Sequence, residues 1–483
     1  MFTRHDSTAM TAKPAALRLF GTSGIRGFIN RTLTPEFAAR MGLCFAHLMG
    51  REGEVAVGRD VRLHASLIQR AVISGLNSGG VDVRECGVAP TPAVLHYMKH
   101  EGLDGAVLVT GSHTIAPVVG LLFFLRDGGE INVRAEERLE RLYFGGGLSP
   151  NPWNRTGHTR QGEPIESYYD AVERASDARL VAGRRVIVDP GNGAASGVIS
   201  TLLQRLGCKA SAVNDVADGR FPSRSPYPRR EVLGGLRRAV KETSADAGVA
   251  TDGDGDRAIF VDENGNAVWG DVTGSLFALD SLERRGGGTI VAPVNSSQLI
   301  RDVCRGRGRL VTTRVGPPAI IDALRNRPDS VFGFEETGKY IWPDVLLYGD
   351  VALSTLRMLE LMERRGKSMA ELTATLPRYH MVKRAFRCAE SSKTTIHDRV
   401  LALSSGMGAT VITLDGVKAV YPDRSWILLR PSGTEPFFRC YAEARTAKKA
   451  EELARSGIRM LREAESSVRT GTRNRASGER PVA

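Results

Sequence analysis

The sequence predicts an α/β protein built from four units, and three observations predict it. Short apolar runs at 55–57, 81–83 and 105–109 read as strands, and helical patterns over 35–50 and 65–78 alternate with them. The alternation restarts near Ile165 and again near Thr289, as it would in a chain that repeats one style of sheet flanked by helices. From Tyr379 the style changes: an apolar run at 426–429 and an alternating strand at 437–444 flank a polar loop, and a helix over 448–464 closes the chain. A chain of 483 residues has room for roughly three to four domains. The boundaries expected are 17–160, 161–270, 271–378 and 379–465. Residues 1–16 and the basic, apolar-poor tail 466–483 are expected to be disordered.

Composition narrows the classes. At 42% hydrophobic and 25% charged residues the chain is that of an ordinary globular protein. No apolar stretch reaches the ~20 residues that span a bilayer, and the N-terminus lacks a secretory pattern; Met10 is an alternative start. A cytoplasmic protein with no membrane partner is expected. The six cysteines are scattered without a C-x-x-C pair, which argues for reduced thiols and against a zinc site. The net charge of +12 raises nucleic acid as a partner, but no nucleic-acid motif or dense basic block lies in the body of the chain. An anionic small molecule accounts better for interior arginines, which bind phosphate through several donors at once.

The most informative segment is Asp252-Gly253-Asp254-Gly255-Asp256-Arg257. Three carboxylates so close repel one another unless a cation neutralises them, and hard oxygen ligands favour Mg²⁺ or Ca²⁺. The glycines let the backbone fold tightly round an ion, and Arg257 adds a fixed charge suited to phosphate. An EF-hand calcium loop is the nearest rival: counted from Asp252, Glu263 falls at position 12. Arg257 then occupies position 6, where that loop needs glycine, and the flanks at 247–250 and 258–261 read as strands rather than helices. A solvated acidic turn ranks below both. Catalytic Mg²⁺ on a loop between strands is the preferred reading.

Three further polar segments stand out, each ambiguous alone. Ser112 follows a strand, in Thr110-Gly111-Ser112-His113, where a serine is well placed for covalent catalysis; most serines so placed are only turn residues, and no G-x-S-x-G elbow is present. Glu335-Glu336-Thr337-Gly338-Lys339 offers two carboxylates and a hydroxyl that can bind sugar hydroxyls, or is merely a charged loop edge. Arg430-Pro431-Ser432-Gly433-Thr434 is either a phosphate cradle or a capped turn.

Taken together, these motifs resemble the α-D-phosphohexomutase superfamily, in its phosphomannomutase/phosphoglucomutase and phosphoglucosamine mutase branch. The resemblance spans residues 17–464. It rests on the DGDGDR and RPSGTEP segments in that order, supported by FGTSGIRG at 20–27, VGRD at 57–60, PTP at 90–92, DGRFPSRSPYP at 218–228 and GD at 349–350. It implies four domains around a central cleft, three related mixed-sheet α/β domains plus a smaller C-terminal α+β domain. They carry in turn a phosphoserine loop, a metal loop, a sugar loop and a phosphate loop. It implies reversible transfer between hexose 6-phosphate and hexose 1-phosphate through phosphorylated Ser112 and a 1,6-bisphosphate, which also serves as activator. Ser112, Asp252, Asp254 and Asp256 would hold one Mg²⁺. Glu335 and Thr337 would read the sugar, and Arg430, Ser432, Gly433 and Thr434 would grip the distal phosphate. His113, Arg26 and Arg257 would act near the reacting phosphate. The chain would be a monomer or homodimer.

Two positions depart from the family pattern. Its Ser-His-Asn-Pro run leads to Asn-Gly and a lysine; here Leu122 stands at the lysine position, and leucine transfers no protons. Lys339 stands where the sugar loop ends in histidine, and could supply the missing cation or proton donor. A working mutase with weaker or altered activity is expected, acting on mannose or glucose phosphates. Phosphoglucosamine mutase and a catalytically impaired phosphosugar-binding homologue are the alternatives; a calcium- or nucleic-acid-binding protein is the remaining one.

Overall fold

A computed structural model describes residues 18–476 except position 434, with side chains described up to 466. Four sheets follow one another along the chain.

The first sheet has six strands. Glu54–Arg59, Asp82–Val88, Gly105–Val109 and Thr159–Gln161 pair in parallel, and Val118–Leu125 returns antiparallel to Gly105–Val109. The second sheet sets Arg185–Asp189 parallel to Lys209–Ala212 and Ala247–Thr251, with Ala258–Asp262 antiparallel to the last. The third sets Thr289–Pro293 parallel to Arg309–Thr313 and Ser330–Glu335, with Lys339–Ile341 antiparallel to the last. These are three mixed sheets of one plan: a parallel core whose final strand turns back through a hairpin. The fourth sheet is antiparallel throughout, with Trp426–Pro431 and Phe437–Ala444 at its centre.

The plan follows from where the apolar residues sit. Gly105–Val109, Ala247–Thr251 and Thr289–Pro293 are buried at every position, as strands covered on both faces must be. The helices Pro35–Leu48 and Ala65–Ser78 cover one face of the first sheet, the former capped by the Thr34 side chain on the N–H of Phe37. The other face merges with the second and third sheets in one continuous core through Thr91–His100, Pro164–Arg174 and Val351–Arg365. Asp350 pins this junction: its carboxylate accepts from Tyr168 Oη at 2.7 Å and lies 3.2 Å from His96 Nε2, all three buried. The fourth domain has its own core and meets the third through Val294, Trp426, Leu428 and Tyr441.

The closing helix runs Ala447–Ala476, well past the expected end at 464 and into the tail expected to be disordered. Propagating an existing helix adds one hydrogen bond per residue fixed, without a new nucleus. Residues 1–16 and 477–483 lie outside the described residues.

Candidate active site

The four loops that the sequence singles out are all hairpin connections. Ser112 lies between Gly105–Val109 and Val118–Leu125, and the three aspartates between Ala247–Thr251 and Ala258–Asp262. Thr337 lies between Ser330–Glu335 and Lys339–Ile341, and Ser432 between Trp426–Pro431 and Phe437–Ala444. The strands that flank the aspartates exclude the EF-hand, whose loop joins helices. Glu263 is engaged by the N–H of Ala370 at 3.2 Å and is not among the clustered carboxylates.

The first two loops meet directly. Ser112 Oγ donates to Asp252 Oδ2 at 2.8 Å and lies 3.1 Å from His113 Nδ1. Ser112 has φ of 47°, an uncommon conformation for a non-glycine residue. A Cβ on Gly253 would sit 2.6 Å from the Ser112 carbonyl oxygen, so the two backbones approach closely only because that position is glycine.

Asp252, Asp254 and Asp256 are buried, with one oxygen from each within 4.8 Å of the others. One oxygen of each carboxylate is engaged: Asp252 by Ser112, Asp254 by Thr91 Oγ1 at 3.2 Å and Thr110 Oγ1 at 3.0 Å, and Asp256 by Lys339 Nζ at 2.9 Å. The three Oδ1 atoms are buried with no hydrogen-bond partner. Three orphaned anionic oxygens side by side are costly unless a cation joins them, and an all-oxygen set fits Mg²⁺. Burial, and then the neighbouring carboxylates, push Asp252 and especially Asp254 up. At Asp256 burial acts the same way, but Lys339 and Arg257 outweigh it and hold the carboxyl below its ordinary value.

The other cations gather here. Arg257 Nε lies 3.5 Å from Asp252 Oδ2 and 3.7 Å from Asp256 Oδ1. Arg26 donates to the Thr110 carbonyl at 3.1 Å. Burial, then Arg257, Arg26, Lys339 and Arg62, push His113 well down, so its ring is neutral. Lys339 is buried, its ammonium 3.8 Å from the centre of the Tyr348 ring. Leu122 faces the core beside Leu108 and Phe124 and is as buried as they are.

The two glutamates of the loop 335–339 part company. Glu335 is buried near Arg257, and burial raises its pKa. Glu336 is bound by Trp269 Nε1 at 3.1 Å, Asn295 Nδ2 at 3.1 Å and the Lys383 ammonium. A pair of adjacent carboxylates offered to one sugar is therefore not what the loop presents. Thr337 Oγ1 is buried without a partner.

In the fourth domain Arg430 Nε donates to Asp415 Oδ2 at 2.8 Å. The same oxygen accepts the Val315 N–H from the third domain at 2.9 Å. Ser432 is buried, and a Cβ on Gly433 would meet nothing within 4 Å. Thr434 lies outside the described residues. Among the described residues no hydrogen bond joins this loop to the Ser112 cluster.

Sequence reasoning missed the supports. Arg62 is fully buried and donates to the carbonyls of Ser112, Thr114, Ile115 and Ala116, at 2.6 to 3.1 Å. Asp60 pairs with it at 2.9 Å and also accepts from Thr110 Oγ1 and the Gly111 N–H. Arg224 does the same for the metal loop, donating to Asp189 and to the Thr251 carbonyl. The VGRD and DGRFPSRSPYP segments contain or adjoin these residues, and for Asp60 and Arg62 charged groups directly after the buried strand Glu54–Arg59 were the available signal.

The chain matches phosphoglucomutase/phosphomannomutase α/β/α domain I over residues 17–148, domain II over 166–265, domain III over 269–379 and the C-terminal domain over 385–457. It is 38% identical to the phosphoglucomutase/phosphomannomutase of Thermococcus kodakarensis, across 92% of this chain and 99% of that one. It is 34% identical to the phosphoglucosamine/phosphogalactosamine mutase of Sulfurisphaera tokodaii, across 90% and 97%. Among solved structures, a phosphoglucomutase/phosphomannomutase family protein from Burkholderia thailandensis superposes with a TM-score of 0.83 at 27% identity, covering 93% of this chain and 98% of that one. Four domains in order, a serine on an aspartate cluster and full-length likeness lead to one conclusion: the chain belongs to the phosphoglucomutase/phosphomannomutase family of phosphosugar mutases.

Proposed function

We propose that the chain interconverts hexose 6-phosphate and hexose 1-phosphate, with mannose or glucose as the sugar, through phosphorylated Ser112 and a 1,6-bisphosphate. The observation that carries this reading is Ser112 Oγ in hydrogen-bond contact with Asp252, beside three buried carboxylate oxygens that have no hydrogen-bond partner.

Phosphoryl transfer asks mainly for positioning and charge neutralisation. Asp252, Asp254 and Asp256, with Ser112, would hold Mg²⁺, which when bound polarises the phosphoryl oxygens as a Lewis acid. Arg257 and Arg26 add fixed positive charge around Ser112, and Lys339 holds Asp256 in its ionised form. A sugar hydroxyl attacks the phosphoryl group of Ser112; the new O–P bond forms as the Oγ–P bond breaks, and the hydroxyl proton passes to the released Ser112 Oγ, beside Asp252 Oδ2 and His113 Nδ1. In the return step Ser112 Oγ attacks the other phosphate, the sugar O–P bond at that phosphate breaks, and the released sugar oxygen takes up the proton that Oγ gives up. Before attack Oγ carries its proton and donates it in a hydrogen bond to Asp252 Oδ2, with neutral His113 Nδ1 as the second heteroatom in reach. Glu335 and the unpartnered Thr337 Oγ1 read sugar hydroxyls. Arg430, Ser432, Gly433 and Thr434 grip the phosphate that is not reacting, which aligns the reacting end.

The likeness to the Thermococcus enzyme supports mannose or glucose. The Sulfurisphaera relative supports a second reading, in which the sugar is glucosamine. A coupled assay with mannose, glucose and glucosamine 1-phosphates, Mg²⁺ and a trace of the matching 1,6-bisphosphate ranks the three. Ser112→Ala is the control. Turnover lost in that variant is the expected result. A kcat/KM highest for glucosamine 1-phosphate replaces the first sugar reading with the second, and no turnover on any sugar overturns both.

A further inference from the structure

The phosphate loop rests on a lysine that the proposed machinery leaves without a task. Lys393, the first residue of the helix Lys393–Ser404, is buried under the loop. Its ammonium donates to the carbonyls of Ser432, at 2.5 Å, and Glu435, at 2.8 Å. Those two carbonyls bracket the tip of the loop.

An anion approaching a loop is repelled by its carbonyl and carboxylate oxygens and drawn to its donors. Among the described residues of this loop, four acceptors are already engaged. Lys393 takes the Ser432 and Glu435 carbonyls, the Cys388 N–H takes the Pro436 carbonyl at 3.0 Å, and Arg439 takes the Glu435 carboxylate. The Ser432 N–H is tied to the Phe437 carbonyl at 2.8 Å, and the Phe437 N–H to the Glu435 carbonyl at 2.7 Å, which closes the loop on itself. Glu390 lies 2.6 Å from the Lys393 ammonium, on a side chain that is 72% exposed and screened by water.

We infer that Lys393 is a positioning residue of the phosphate site, fixing the loop by holding the Ser432 and Glu435 carbonyls and placing a positive charge behind it. This rests on the proposed function of the Arg430–Ser432 loop as the grip on the non-reacting phosphate. That phosphate is bound in ground and transition states alike, so the effect of Lys393 falls chiefly on KM, with a smaller loss in kcat where the grip also aligns the reacting end.

The test compares Lys393→Met, Lys393→Arg and Glu390→Gln with the wild type, by steady-state kinetics and by the shift in melting temperature on adding glucose 6-phosphate. Lys393→Met is expected to raise KM about tenfold or more while kcat stays within about twofold, and to shrink the glucose 6-phosphate shift. Lys393→Arg restores part of the loss. Glu390→Gln, which leaves the fold and the lysine intact, lowers KM or leaves it unchanged, and is informative even if Lys393→Met does not fold. A Lys393→Met protein that melts earlier but keeps the wild-type KM overturns the inference, as does a higher KM in Glu390→Gln. A wild type that neither turns over nor responds to glucose 6-phosphate overturns the proposed function instead.

Discussion

Lys339 Nζ lies 2.9 Å from Asp256 Oδ2, and both side chains are almost wholly buried. One of three aspartates is thus neutralised by the protein itself, from the sugar loop of a different domain. Removing one partner of a buried pair costs about 3–5 kcal/mol, because the other charge is left without compensation. Lys339→Met should therefore melt earlier, and Mg²⁺ should raise its melting temperature more than it raises that of the wild type. Turnover should fall roughly a hundred- to a thousandfold, the range for loss of one preorganised electrostatic donor. Unchanged turnover would remove Lys339 from the chemistry.

The three orphaned oxygens predict a metal effect that needs no activity assay. Mg²⁺ binding to the folded chain alone should raise the melting temperature in proportion to the logarithm of its concentration above the dissociation constant. Asp254→Asn should largely abolish that rise, while chelator-treated wild type should lose turnover and regain it on adding Mg²⁺. A melting temperature indifferent to Mg²⁺ in the wild type would count against the site.

Arg62→Met leaves Asp60 buried without its partner and frees four carbonyls of the serine loop. A loss of about 3–5 kcal/mol in stability is expected from the broken pair. If the variant folds, kcat should fall by about a hundredfold or more, since displacement of a reacting group by about 1 Å costs that much. Wild-type kcat in a folded variant would show that the loop holds its shape unaided.

Lys418 predicts a pH dependence. It donates to the Val294 carbonyl at 2.6 Å across the junction of the third and fourth domains. Burial lowers its pKa to about 7, with Glu443 and Asp271 opposing the change and Arg301 adding to it. In the unfolded chain the lysine keeps its proton to about pH 10.4. From pH 7 upward the unfolded state therefore binds the extra proton, and the contribution of Lys418 to stability grows with pH. The melting temperature of the wild type minus that of Lys418→Met should rise between pH 7 and 9.5. A flat or falling difference would refute the assignment.

Much of the architecture was legible because it depends on local pattern. The fully apolar strand 105–109 and the paired runs around Asp252 could take few other forms, and the hairpin plan followed once the strands were known. Glu336 was not legible. Adjacent glutamates look equivalent in a sequence, but successive residues at a strand end point to opposite sides, and Trp269, Asn295 and Lys383 come from elsewhere in the chain. Arg62 and Lys393 escaped for a related reason: their partners are main-chain carbonyls 39 to 54 residues away, which carry no residue-type signature. The closing helix shows a limit of composition, since a polar, charged tail still propagates a helix begun on a packed face.

One guanidinium, that of Arg62, fastens the serine loop at four points and is itself fastened to Asp60. For an engineer, the loop is therefore not a portable part. Transplanting residues 110–117 into another scaffold would carry the nucleophile without the clamp that shapes it, and exchanging the loop between relatives would succeed only when the strand end Val57–Arg62 travels with it.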